Sequence, residues 1–224
     1  DRALAITPNT MQVDALAGRG FALVIKGRLK EANANLDRAL EISPDDAKAL
    51  VVHALVLVAS KQLARAITVL DRPIADGSED PLMFVLRGKA LAQSGVLDRA
   101  IADFDQALKL RPRNAEALTA RGTVWIKKKD YARALKDLDQ SIDSQPTVAG
   151  YLVRGALHEA QGRCSLAMAD FRKARELQPS GTLEAEAQAT AKTRLEQFAR
   201  RKSCGPTGGS RFAFGDPAAA AGAL

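Results

Sequence analysis

Apolar residues recur along this chain at the spacing of amphipathic helices, and the helical patterns come in pairs that return with a beat of about 34 residues. The stretch 81–114 shows the pattern most fully, with Gly88, Ala90, Leu91, Gly95, Leu97, Ala100, Phe104, Ala107 and Pro112 at positions 8, 10, 11, 15, 17, 20, 24, 27 and 32. The same places hold Gly20, Ala22, Leu23, Gly27, Leu29, Ala32, Leu36, Ala39 and Pro44 in 13–46. In 148–181 they hold Gly155, Leu157, His158, Gly162, Cys164, Ala167, Phe171, Ala174 and Pro179. The stretch 115–147 keeps Gly122, Trp125, Tyr131, Ala134, Leu138, Ser141 and Pro146. Five units follow, 13–46, 47–80, 81–114, 115–147 and 148–181, each split into two helices of about a dozen residues.

Close packing explains the residue types. Small residues at positions 8 and 20 let two antiparallel helices approach, and larger apolar residues at 11, 17 and 24 fill the space beside them. Glycine at 15 suits the turn between the helices, and proline at 32 ends the second one. On these residues the chain resembles the tetratricopeptide repeat family over about residues 13 to 181. The resemblance implies an all-α, right-handed solenoid of stacked antiparallel helix pairs. The unit 47–80 keeps Ala54, Leu57, Ala66 and Leu70 but has Lys61 in the turn, Pro73 in the second helix and Ser78 at the proline position. A proline inside a helix costs roughly 3 kcal/mol, so that helix is expected to stop near Asp71, leaving 76–80 as an exposed connector.

The ends read differently. Residues 1–12 carry Ala3 and Pro8 at positions 27 and 32, as if they closed an earlier repeat. Across 182–202, Leu183, Ala187, Ala191, Leu195 and Phe198 form one apolar stripe, with Glu184, Gln188, Lys192 and Glu196 outside it, the pattern of a capping helix. The Gly/Pro/Ala-rich tail, 203–224, has no period; it reads as a flexible tail or, through Phe212 and Phe214, as a docking segment.

Composition narrows the function classes. A chain that is 46% hydrophobic with only 4% aromatic residues fits Ala/Leu-rich helices, and no apolar run approaches the ~20 residues of a membrane span. Two cysteines, Cys164 and Cys204, make no disulfide framework and are compatible with a reducing compartment. The net charge of +7 gathers partly in Arg111, Arg113, Arg121, Lys127, Lys128, Lys129 and Arg133. Nucleic-acid binding would want stacking aromatics there, but Trp125 and Tyr131 fall on core positions, so a solvated turn is the simpler reading. Only two histidines, His53 and His158, are present, with no metal-ligand spacing and no Gly-rich phosphate loop. The pairs Asp103/Asp105 and Asp137/Asp139 diverge on a helix and cannot share a proton. No catalytic activity, cofactor or metal is expected.

Binding remains. In the family the concave face is lined by the first helix of each unit, chiefly positions 2, 5, 6, 9, 12 and 13, and members that grip acidic chaperone tails carry Lys, Asn and Arg there. Here positions 5, 6 and 9 are mostly apolar, so that clamp is missing. The expectation is a protein-interaction scaffold whose groove takes an apolar peptide or helix against Phe21, Val51, Val52, Leu55, Val58, Val85, Leu86, Lys89, Leu152 and Val153. The competing placement turns the residues of 47–80 into the core between repeats. The chain's own tail, or a neighbouring copy's, is a candidate occupant. The alternative function is a regulatory or substrate-presenting arm of a larger enzyme.

Two finer expectations concern packing. Arginine stands at position 7 in four units (Arg19, Arg87, Arg121, Arg154) and aspartate at position 23 in the last three (Asp103, Asp137, Asp170); in 47–80 both change together, to His53 and Val69. An Arg–Asp pair between the helices of a unit would explain this, as would independent surface charges. Gly88, Gly122 and Gly155 are expected at helix crossings with no room for a side chain.

Overall fold

The computed structural model describes residues 8–179 and 182–200. Residues 1–7 and 201–224, with Ala3, Cys204, Phe212 and Phe214, lie outside the described residues. The described residues form eleven helices and no strand: α1 (Pro8–Ile25), α2 (Leu29–Ile42), α3 (Ala47–Ala59), α4 (Leu63–Ala75), α5 (Pro81–Gln93), α6 (Leu97–Leu110), α7 (Ala115–Lys127), α8 (Tyr131–Ser144), α9 (Val148–Ala160), α10 (Cys164–Glu176) and α11 (Thr182–Arg200). The chain divides after Leu110 into two compact units, the first holding α1–α6 and the second α7–α11. In each, consecutive helices pack as antiparallel pairs.

Every pair turns in the same way. At position 15, Gly27, Gly95 and Gly162 have φ of 70°, 84° and 71°, and the next N–H reaches back to a carbonyl of the first helix: Arg28 to Leu23, Val96 to Leu91, Arg163 to His158. This double-bonded cap satisfies carbonyls that a helix end otherwise leaves bare. Lys61 (φ 59°) and Lys129 (φ 62°) hold the same left-handed conformation without glycine's freedom. Between pairs, the side chains of Asp46, Asp80, Asn114 and Thr147 accept backbone N–H bonds at the starts of α3, α5, α7 and α9.

Pro73 does not stop α4 near Asp71; the helix runs on to Ala75. Pro73 lies in the last turn, where its missing N–H forfeits a single bond. Ser78 N–H then bonds the Pro73 carbonyl at 3.0 Å and Gly77 N–H the Ile74 carbonyl at 3.1 Å, with Gly77 at φ 91°. The same cap that closes the first helices closes this one. At the other end of the first unit, α1 starts at Pro8; the expected close of an earlier repeat, with Ala3, falls mostly on residues outside those described.

The helix crossings are tight. A Cβ built on Gly88 would stand 2.7 Å from Phe104 Cε1, on Gly155 2.7 Å from Phe171 Cε1, on Gly20 2.9 Å from Leu36 Cγ and on Gly122 3.1 Å from Leu138 Cγ. The four contacts join positions 8 and 24 of one pair, as the repeat register requires. In the second unit Ala187 and Ala191 of α11 close a core made by Val148, Leu152, Ala167, Phe171 and Ala174, with Leu195 and Phe198 partly buried against it. The side chain of Leu183 lies outside the described residues. Cys164, at the start of α10, is half-buried.

Candidate protein-binding face

Position 7 of the first helices carries a charged ladder. Arg87 donates from Nε to Asp103 Oδ2 at 2.9 Å and from Nη2 to Asp103 Oδ1 at 2.7 Å, tying α5 to α6. Arg121 makes the same fork to Asp137 (2.8 and 2.7 Å), and Arg154 to Asp170 (2.9 and 2.7 Å). Planar guanidinium matches carboxylate in two parallel bonds, the strongest neutralising geometry available to side chains. Arg87 and Arg154 also reach the preceding pair, through Nη1 to Asp71 Oδ1 at 2.9 Å and to Asp139 Oδ1 at 2.7 Å. Bonds to these carboxylates, Asp103 first for Arg87 and Asp170 first for Arg154, raise both guanidinium pKa values above the ordinary range.

Sequence reasoning found the half of this ladder within each pair and missed the half between pairs. The signal was present: aspartate stands at position 25 in the first four units, as Asp37, Asp71, Asp105 and Asp139. In the unit without arginine, His53 takes its place, with Nε2 3.1 Å from Asn33 Oδ1 and 3.4 Å from Asp37 Oδ1. Arg19 is exposed, and its expected partner Asn35 instead donates to the Glu31 carbonyl at 2.7 Å. Burial lowers the pKa of both His53 and His158, and Nδ1 of each is enclosed without a hydrogen-bond partner.

The residues expected to line a groove divide sharply. Val52 packs with Val13 and Ala17; Val58 with Leu57, Ala66 and Ala90; Leu86 with Leu50, Ala54, Leu70 and Met83. Val153 joins Ile126, Ala134 and Leu138, and Leu152 joins Phe171 and Ala187. Val85 is fully buried. These six are core, not groove. The physical reason is plain in α3, which is apolar around its whole circumference because it packs against α1 and α2 on one side and α4 and α5 on the other.

Four of the ten stay accessible, all in the first unit. Phe21 is 48% exposed, and Val51, Leu55 and Lys89 are half-buried. Val51 and Leu55 lie with Leu82 around the cluster of Leu50, Leu70, Met83 and Leu86. Lys48 at position 2 donates to Asp14 at 3.0 Å, linking α3 to α1 on this face. In the second unit the corresponding surface is more polar, and its hydroxyls are used internally: Thr119 bonds Ser141 at 2.8 Å and Thr123 donates to the Thr119 carbonyl. Trp125 is half-buried beneath the Arg133 guanidinium, 3.7 Å from the ring centroid, whereas Tyr131, expected in the core, is exposed. Among the described residues no cluster of His, Cys, Asp and Glu could hold a metal, and no helix is long and apolar enough to cross a membrane.

Models of the tetratricopeptide repeat match residues 23–90, 85–149 and 127–182. The chain belongs to the tetratricopeptide repeat family. A thermophilic repeat protein of Thermus thermophilus superposes with a TM-score of 0.72 at 22% identity, over 81% of this chain and 99% of that one. MamA from Desulfovibrio magneticus gives 0.53 at 23% identity over 59% and 75% of the two chains. YrrB, described as a repeat protein with an unusual peptide-binding site, gives 0.54 at 19% identity over 84% and 100%. No curated protein sequence matches significantly. Repeats and neighbours together support a protein-interaction scaffold.

Proposed function

We propose that this scaffold takes an apolar peptide or helix across the first-helix face of its N-terminal unit. The observation that carries the reading is Phe21: a large apolar side chain, 48% exposed, at the same position of its helix as the half-buried Leu55. Val51 and Leu82 extend the apolar surface, and Lys48 and Lys89 stand on the same helices with a positive charge each. Such a surface contributes by burying a partner's apolar side chains, at roughly 1.5–3 kcal/mol for each large residue before ordering costs. Phe212 and Phe214 of the tail are side chains of the kind this face would take.

The test is a random-peptide selection against the full chain. The expected consensus has two or more apolar anchors, and enrichment is lost when Phe21→Lys replaces the wild type. Selection of the same peptides by the Phe21→Lys protein would remove this face from the function. Removing residues 203–224 should raise the yield of binders if the tail competes for the face.

A further inference from the structure

We propose that a recess between the α2–α3 and α4–α5 connectors is a binding site for an arginine side chain presented by a partner protein. The recess has a volume of about 310 Å³ and is open to solvent on one side; Leu50, Pro73 and Met83 form its apolar wall, and Asp45, Asp76 and Ser78 its polar one. None of Phe21, Val51, Leu55 and Leu82 lines it, so it is separate from the face assigned to peptide binding. Its origin is a missing plug. Position 30 of the repeat holds Ile42, Leu110 and Leu177 in units one, three and five. Ile42 packs against the core of Leu36, Ala39 and Ala49, and Leu177 against that of Phe171 and Ala174. In 47–80 the same position holds Asp76, which is exposed. There α4 turns at Asp76 and the left-handed Gly77, so the connector gives the recess Asp76, Gly77 and Ser78 and no large apolar side chain. Met83, larger than its counterparts Ala49 and Ala117, lines the space without closing it.

The occupant follows from what the recess lacks and from what stands at its mouth. An aliphatic stem takes the place of the missing isoleucine or leucine, and a cationic head meets the carboxylates. Arginine supplies both, and its planar fork can serve two carboxylates at once. The chain's own Arg72 already shows this chemistry in a loose form. Its Nη2 stands 3.2 Å from Asp45 Oδ1 and its Nε 3.6 Å from Asp76 Oδ2, with all three side chains exposed. Arg72 is not among the residues that line the recess, so it holds the two carboxylates while the interior stays open. Such an exposed pair contributes little and exchanges readily, unlike the buried fork of Arg87 and Asp103. Charge selects the sign of the partner. The connectors and their flanks, 41–47 and 72–81, carry Glu41, Asp45, Asp46, Asp76, Glu79 and Asp80 against Arg72. Asp46 and Asp80 are engaged in capping α3 and α5, and Lys48, the next basic residue along α3, is engaged with Asp14.

Methyl NMR of the full chain labelled at methionine tests this, because the chain has three methionines and Met83 is the one that lines the recess. The probe is the blocked tripeptide acetyl-glycyl-arginyl-glycine amide, compared at constant ionic strength with the same peptide carrying citrulline, the neutral isostere of arginine. The Met83 signal, assigned with Met83→Leu, should move saturably at millimolar arginine peptide, while those of Met11 and Met168 stay in place. The citrulline peptide should bind at least tenfold more weakly. Asp45→Asn combined with Asp76→Asn should abolish that discrimination. Arg72→Ala frees both carboxylates and should bind the arginine peptide more tightly, whereas loss of a merely structural ion pair would not. Phe21→Lys should leave this binding unchanged, which separates it from the first-helix face. A Met83 signal that the arginine peptide does not move overturns the proposal, as does equal binding of the citrulline peptide. Binding by Arg72→Ala no tighter than by the wild type overturns the role given to the two carboxylates.

Discussion

Arg87 and Asp103 meet in a two-bond fork of 2.9 and 2.7 Å between the helices of one repeat, while the remaining amino group of Arg87 holds Asp71 of the repeat before. The two carboxylates are not equivalent. Asp103 is 8% exposed and Asp71 49%. Removing one member of a buried pair strands the other's charge, while a half-exposed carboxylate is screened by water. Asp103→Ala should therefore lose about 2–4 kcal/mol of unfolding free energy, and Asp71→Ala less than about 1 kcal/mol. Urea unfolding of the two variants measures the difference, and equal losses would deny the asymmetry.

Gly88 tests the crossing. With Phe104 Cε1 2.7 Å from the place of a Cβ, Gly88→Ala should destabilise even though alanine is the better helix former, and Gly88→Leu should lose roughly 1–3 kcal/mol or more through overpacking. Thermal unfolding of Gly88→Ala at or above the wild-type midpoint would contradict the packing described.

The turn residues should respond in opposite directions. Lys61 and Lys129 occupy left-handed conformations that favour glycine, so Lys61→Gly and Lys129→Gly should each stabilise by about 1 kcal/mol. Gly95→Ala and Gly162→Ala, at φ of 84° and 71°, should destabilise by a similar amount. Midpoints from a denaturant series on the four variants decide the sign at each position.

Stability should also fall on mild acidification. His53 and His158 are held neutral by burial, with folded pKa values below the ordinary 6.5. Below about pH 6.5 the unfolded chain takes up protons that the folded chain does not, so the stabilisation present above that pH is lost progressively as pH drops through the folded values. Unfolding free energies at pH 7.5 and 5.5 should differ less in a His53→Gln, His158→Gln double variant than in the wild type; an equal difference in both would assign the pH effect to other groups.

Much of this architecture was legible because the repeat forces residue type. Glycine at position 8 must face Leu36, Phe104, Leu138 or Phe171, and the stripe of Ala187, Ala191, Leu195 and Phe198 needs a core to cover. The Arg–Asp fork could be read from the joint change to His53 and Val69. The binding face was less legible. Val52, Val58 and Leu86 look like groove residues on a helical wheel, but the first helix of a pair in a stacked array has apolar neighbours on two sides, and only packing shows which apolar residues are left over. Pro73 misled for a related reason: its effect depends on distance from the helix end, which the Gly77 cap determines.

The most direct test of the binding account is calorimetric titration of a selected peptide into the wild type, Leu55→Lys and Arg99→Glu. Leu55 is half-buried on the first-helix face, and Arg99 is exposed on the second helix α6. The account predicts at least a tenfold loss of affinity for Leu55→Lys, equivalent to about 1.4 kcal/mol or more, and none for Arg99→Glu. Unchanged affinity for Leu55→Lys in a folded protein would contradict recognition through this face.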